Sequence, residues 1–215
     1  MKRRRGLAIL ATVALLAPCL FASRSRANIE EQRARLPPPA TDCTDPVAGT
    51  WMSHAYYPQQ HQWYVVNLDV RRVPGHADQL QGLIRAHFWD GDEHMVEPPP
   101  GCGQVSTHAE VREPAVGTYA ADGTITFRGT SWALERQYCG FGIGYALDTY
   151  SGKIDRTIME FQTILDDFHD FRGIPVVFRR VACAPEPSPA VAAVNAPAPA
   201  ARACRRRRRC SCPGA

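Results

Sequence analysis

The sequence predicts an all-β fold, an eight-stranded antiparallel up-and-down closed barrel with two disulfides. Apolar residues in the middle of the chain recur at every second position, in short runs rich in β-branched and aromatic residues. Short turns alternate with longer loops between these runs, and four cysteines fall in the segments that connect or flank them. A β-sandwich is the alternative fold if Pro114 divides the fourth strand into two, because the strand count then becomes odd.

Residues 1–27 are expected to form a secretory signal peptide. They combine a basic start, an apolar run and a small-x-small ending at Ser25 and Ala27. The protein is therefore expected to be secreted or periplasmic. Lipid attachment at Cys19 is a minor alternative that would leave the protein anchored to a membrane.

The other end of the chain, residues 184–215, is expected to be a disordered tail. Alanine, proline and arginine dominate it, and it lacks the aromatic residues that a packed core needs. The run from Arg205 to Arg209 could contact an anionic surface through charge alone. Between the two ends, residues 28–42 form an N-terminal extension and residues 43–183 form the predicted barrel domain.

The charge of the middle segment differs in sign from that of the whole chain. The chain has 25 basic and 21 acidic residues, a net charge of +4. Twelve of the basic residues and one acidic residue lie in the two ends, so the middle keeps 13 basic and 20 acidic residues, a net charge of −7. An acidic domain argues against nucleic acid as a partner, because such proteins need a basic face.

The predicted strands follow from two-residue alternation in the sequence. The stretch "WYVVNLDVRRV" places aromatic and aliphatic residues on one face and polar residues on the other, and "LQGLIRAHFW", "TITFRG" and "GFGIGYAL" behave alike. "TIMEFQTIL" and "IPVVFRRVA" are further apolar, β-branched runs. The predicted strands span residues 48–57, 62–73, 80–89, 104–120, 124–133, 141–149, 153–165 and 174–182.

The connections predict how the strands are arranged. Tight turns are expected at "PGHAD", "ADG" and "YSG", and longer loops at the other four connections. When eight strands run alternately up and down, all three tight turns fall at one end and the longer loops at the other. Cysteine spacing alone leaves three pairings open. The strand parity selects Cys43–Cys183 and Cys102–Cys139, because each pair then meets at one end of the closed barrel.

Residues in the first and last predicted strands resemble a known family pattern. Gly49-x-Trp51 opens the first strand, and Arg179 and Arg180 lie in the last. This resembles the lipocalin-like (calycin) family, in which a Gly-x-Trp packs at the closed end of an eight-stranded barrel under an arginine from the last strand. The resemblance implies a barrel that binds a small hydrophobic molecule at its open end.

The sequence carries no motif that predicts catalysis. "GTSWA" lacks the second glycine of a nucleophile elbow, and no glycine-rich phosphate loop opens a helix. The protein is therefore expected not to be an enzyme and to need no cofactor.

Two acid–histidine loops are the candidate metal sites. Both are expected at the open end of the barrel, and their oxygen and imidazole groups would suit calcium, zinc or manganese. The alternative interpretations are solvated polar loops or acid–base catalysis. The candidate ligands are Asp90, Asp92, His94, Asp166, Asp167, His169 and Asp170.

Aromatic residues at strand spacing are the candidate ligand-binding side chains. Eight strands leave an interior that side chains fill or that holds one small ligand. The predicted function is binding of a small, partly apolar molecule. The alternative is an envelope or extracellular interaction protein with a filled barrel. The candidate interior residues are Tyr64, Phe88, Phe127, Phe141, Tyr145 and Phe161.

Overall fold

A computed structural model describes residues 29–185 and confirms the closed, eight-stranded antiparallel barrel. The predicted leader with Cys19, and the tail from residue 186 with Arg205 to Arg209, lie outside the described residues. The strands are β1 Gly49–Tyr57, β2 Gln62–Val73, β3 His76–Asp90, β4 His108–Tyr119, β5 Thr124–Gly129, β6 Ala133–Cys139, β7 Thr149–Asp155, β8 Glu160–Asp166 and β9 Ile174–Cys183.

The barrel wall consists of β1 to β5 and β7 to β9. Strands that are adjacent in this series pair antiparallel, and β1 pairs with β9 to close the barrel. Strand β6 follows β5 after a break and pairs, among the described residues, with β4 alone. Pro114 lies inside β4 and does not divide it, so the β-sandwich alternative is wrong.

The loop lengths sort to two ends, as the parity predicted. The end with the short connections, here called the turn end, carries residues 74–75, 120–123 and 156–159. The opposite end, here called the loop end, carries residues 58–61, 91–107, 140–148 and 167–173. The disulfides are Cys43–Cys183 and Cys102–Cys139, as predicted.

The predicted strand at 141–149 is wrong. Residues 140–148 form an irregular segment, and Phe141 is fully exposed instead of inward-facing. Gly140 and Gly142 adopt φ of 91° and 62°, which residues with a side chain rarely adopt. The alternating glycines therefore break the strand that the alternating apolar residues predict.

The predicted turn at "YSG" is also wrong. Gly152 lies inside β7, where a Cβ atom would overlap the carbonyl oxygen of Gln162 on β8. The glycine thus permits a close approach of two strands. The actual turn spans residues 156–159, and the carboxylate of Asp155 accepts a hydrogen bond from the Thr157 N–H at 2.8 Å.

A short helix, α1 (29–35), covers the wall where β1 and β9 part. The two strands pair from Gly49 to Met52 only. Beyond that point the Val177 N–H of β9 donates to Gln32 Oε1 of α1 at 2.9 Å, and Gln32 Nε2 donates to the Pro175 carbonyl at 3.2 Å. The side chain of Gln32 thus replaces a missing strand neighbour. No helix among residues 29–185 has the length and apolar character for a membrane span.

A second apolar cluster lies on the outside of the wall. Trp63 and Trp89 are fully buried and stack with ring centroids 6.3 Å apart. Their indole N–H groups donate to carbonyl oxygens of the segment 91–107, those of Asp92 and Met95. The guanidinium of Arg35 on α1 lies 4.7 Å from the Trp63 ring centroid. Segment 91–107 and α1 therefore cover Trp63 and Trp89.

Candidate functional site: a cavity at the loop end

The barrel interior contains a cavity of about 350 Å³ at the loop end. Inward-facing side chains of the strands form its walls, and the loop-end segments form its rim. The side chains on which the site's chemistry depends are Tyr57, Gln62, Tyr64, Phe88, Tyr145, Asp148, Tyr150, Asp167, Asp170 and Phe171.

Seven aromatic residues line the cavity, and strand alternation turns those on the strands inward. Tyr64 on β2 stacks with Phe88 on β3, with ring centroids 5.2 Å apart. Phe171 in segment 167–173 packs on Tyr57 at 4.7 Å and on Tyr64 at 5.5 Å. Burial raises the pKa of Tyr57 and of Tyr64, so both hydroxyls are neutral at physiological pH.

A buried aspartate lines the cavity. Asp148 precedes β7 and is 5% exposed. Its Oδ2 accepts hydrogen bonds from the hydroxyls of Tyr145 at 2.9 Å and Tyr150 at 3.0 Å. Burial raises the pKa of Asp148 to about 6, although the two tyrosine hydrogen bonds oppose this shift. Asp148 is therefore largely ionised at neutral pH.

A second buried carboxyl lies beside Asp148. Glu113 on β4 is fully buried, and its Oε2 accepts the Asp148 N–H at 3.2 Å. Its Oε1 has no hydrogen-bond partner among the described residues. Glu113 fits because Gly129 on β5 faces it, where a Cβ atom would overlap Glu113 Oε2. The Gly129 N–H also donates to the Asp148 carbonyl at 2.9 Å. Gly129 therefore contacts both acidic residues.

The pKa values of the two carboxyl groups differ widely. Burial, and then the charge of Asp148, raise the pKa of Glu113 to about 9. Glu113 is therefore protonated at neutral pH, while Asp148 carries the negative charge of the pair. Glu113 does not line the cavity. Asp148 is thus the group of this pair that a ligand can reach.

The cavity is acidic. Asp167 and Asp170 line it together with Asp148. No lysine, arginine or histidine is among the described residues that line it. The formal charge of the cavity lining among the described residues therefore comes from carboxylates alone.

The six candidate interior aromatics take three different places. Tyr64, Phe88 and Tyr145 line the cavity together. Phe141 reaches only its rim, with its side chain exposed. Phe127 and Phe161 are inward-facing and buried, but they pack in the core outside the cavity lining.

The candidate closed-end residues meet at the turn end. Trp51 and Arg180 are each 1% exposed, and the Arg180 guanidinium lies 5.6 Å from the Trp51 ring centroid. Arg180 also donates to the carbonyl of Asp45 at 2.8 Å. Arg179 instead pairs with Glu160 at 2.8 Å, so Arg180 is the arginine that covers the tryptophan. Gly49 has φ of 146°, and a Cβ atom there would overlap the Ala182 carbonyl oxygen.

The acid–histidine loops do not assemble a metal site in the described part of the chain, where no group of three His, Cys, Asp or Glu residues could hold an ion. Three of the five acids instead accept hydrogen bonds from backbone N–H groups two to four residues further along the chain. Asp92 accepts the His94 N–H, Asp166 accepts the Phe168 N–H, and Asp167 accepts the N–H groups of His169 and Phe171. Asp90 accepts from Gln62 and Ser106, and Asp170 contacts His169 at 3.2 Å.

Sequence reasoning missed both Asp148 and Glu113. The signal for Glu113 is its phase, since it shares the inward-facing positions of β4 with Val111 and Ala115. A charged residue in an apolar phase indicates a buried acid. Asp148 has no comparable signal, because it lies in the irregular segment 140–148 that the sequence predicts as a strand.

Comparisons with protein-family models, with curated proteins and with solved structures each find no match to this chain. The fold and its site define a disulfide-bonded, closed β-barrel with an acidic, aromatic-walled cavity. The barrel is compatible with a lipocalin-like fold.

Proposed function

We propose that this protein is an exported binding protein that holds one small, partly apolar molecule in the loop-end cavity. The carrying observation is the cavity of about 350 Å³ inside a barrel that its own side chains could have filled. Tyr64 and Phe88 supply apolar wall area, while Asp148 and the tyrosine hydroxyls supply polar contacts.

The lipocalin-like resemblance supports the same proposal. Trp51 and Arg180 close the turn end, in the positions that the family pattern implies. The two disulfides support export, because such bonds persist in oxidising compartments. We propose binding instead of catalysis, since Glu113, the acid that could act together with Asp148, does not line the cavity, and no histidine, lysine or cysteine is among the described residues that do.

A neutral fluorescent probe tests the proposal. N-phenyl-1-naphthylamine brightens in apolar surroundings, so its fluorescence is expected to rise and saturate as it enters the cavity. Ala146 lines the cavity, and Ala146→Trp is expected to lower the affinity for the probe at least tenfold by occupying space. Thr118→Trp is the matched control, because Thr118 is exposed on β4 and outside the cavity lining. Saturable binding that is equal in both variants would contradict a cavity site.

A further inference from the structure

We infer that the ligand of this cavity is a small organic cation, whose ammonium group contacts Asp148 and whose aromatic or apolar body lies against the tyrosine and phenylalanine rings. This inference rests on the proposed function and adds the charge and chemical class of the ligand. It follows from three features of the cavity, namely its charge, the environment of Asp148 and the chemistry of its walls.

The first feature is the sign of the charge. Asp148, Asp167 and Asp170 line the cavity, and the described lining residues include no basic side chain. A fatty acid or another anion would place its charge near these carboxylates without a compensating partner. Such like-charge contacts are costly in a partly desolvated site. The cavity therefore excludes anions and attracts cations.

The second feature is that Asp148 lacks a counter-ion. Its partners are the neutral hydroxyls of Tyr145 and Tyr150 and the protonated carboxyl of Glu113, none of which carries a positive charge. Asp148 takes part in none of the ion pairs among the described residues. An ionised carboxylate that is 5% exposed carries a desolvation cost that a paired cation offsets. An ammonium group is such a cation, and it donates hydrogen bonds to the carboxylate.

The third feature is the wall. Aromatic ring faces attract cations, most strongly where water is excluded. Tyr57, Tyr64, Tyr145 and Phe88 line the cavity together with Asp148, and the hydroxyl of Tyr145 lies 2.9 Å from its carboxylate. The same rings provide apolar area for the body of the ligand. A bare metal ion would use neither feature, and the described residues form no three-ligand group for one.

A set of three probes of similar size and different charge tests the inference. Calorimetric titration at pH 7.5 compares 2-phenylethylamine, which is cationic, with the neutral 2-phenylethanol and the anionic phenylacetate. The amine is expected to bind at least tenfold more tightly than the alcohol, and phenylacetate more weakly than either. Equal or tighter binding of the alcohol or of phenylacetate would overturn the inference and leave the proposed binding function standing. A cavity that binds none of these probes nor N-phenyl-1-naphthylamine would overturn both.

Asp148→Asn tests the residue itself. The variant is expected to bring the amine affinity to within about threefold of the alcohol affinity measured on the same variant. Asp78→Asn is the matched control, since Asp78 is exposed on β3 near the turn end and the same charge is removed far from the cavity. An amine preference that survives in Asp148→Asn would overturn the assignment of Asp148.

A pH titration of the unaltered protein gives the same test if the variant does not fold. Asp148 has a pKa of about 6, so its ionised fraction and the amine affinity fall about tenfold from pH 7.5 to pH 5. The neighbouring Glu113 on β4 stays protonated in this window, and Tyr145 and Tyr150 stay neutral. Asp167, whose charge raises the pKa of Asp148, and Asp170 are the other acids that line the cavity. The alcohol affinity is expected to stay constant, and an amine affinity that does the same would overturn the inference.

Discussion

Replacing the buried glutamate with its neutral isostere, Glu113→Gln, is expected to change how stability depends on pH. The folded protein holds the Glu113 proton up to about pH 9, whereas the ordinary value for a glutamate is 4.5. Between these values the folded state binds one proton more than the unfolded state. The free energy of unfolding therefore falls as pH rises, and the loss ends above the folded pKa.

The structure sets the size of this effect. One extra bound proton corresponds to about 1.4 kcal/mol per pH unit, which gives about 2 kcal/mol between pH 6.5 and pH 8. Asp148, with a pKa of about 6, adds little in this window because it is already mostly ionised. In Glu113→Gln the contribution of Glu113 is absent. The amide oxygen can still accept the Asp148 N–H, so the fold is expected to be retained.

Urea unfolding at half-unit steps from pH 6.5 to pH 8, with the disulfides intact, measures both slopes. The unaltered protein is expected to lose about 2 kcal/mol more than Glu113→Gln over this range. Both proteins share the histidines His54, His87 and His108, so the difference between the slopes isolates Glu113. Glu135→Gln, an exposed change on β6, is the control and is expected to keep the original slope. Parallel curves for the protein and Glu113→Gln would refute the assignment of a protonated Glu113.

The remaining predictions concern stability and are read from urea or thermal unfolding. Gly152→Ala is expected to lower the free energy of unfolding by about 1–3 kcal/mol, because its Cβ atom would overlap a carbonyl oxygen of β8. Gly103→Ala is the control, since a Cβ atom there meets no other atom, and it is expected to change the free energy of unfolding little. Equal effects of the two variants would contradict this reason for a glycine at position 152. Arg180→Met is expected to lower the free energy of unfolding by about 1–3 kcal/mol, because the buried Arg180 donates to the half-buried carbonyls of Ala40 and Asp45 at the turn end, and a neutral effect would contradict it. Replacing Cys102 and Cys139 by serine is expected to cost about 3–4 kcal/mol, since that disulfide joins residues 37 apart, and an unchanged midpoint would contradict it.

The candidate site was predictable in part. Strand alternation places Tyr64 and Phe88 inward, and both line the cavity. The same rule places Phe127 inward, yet Phe127 lies in the filled part of the core. Alternation identifies the face of a strand, but it does not show how far along the barrel the side chains close the interior.

The acidic centre of the cavity depends on contacts between residues distant in sequence. Glu113 and Asp148 are 35 residues apart and meet only because β4 and β5 pair and leave room at Gly129. Their pKa shifts arise from burial and from each other, neither of which a single segment displays. The acid–histidine loops are conspicuous in sequence for the opposite reason. Their acids are close along the chain and cap their own turns.

The sequence by itself determined the closed barrel, the assignment of the connections to its turn end and loop end, and the disulfide pairing. These follow from period-two patterning and from parity, which survive errors of several residues in the strand bounds. The misplaced strand at 141–149 left the outcome unchanged, because β5 and β7 still run antiparallel. Only the tertiary structure decided that the interior is hollow at the loop end and acidic at Asp148. Cavity volume and proton affinity depend on packing in three dimensions, which local patterning does not encode.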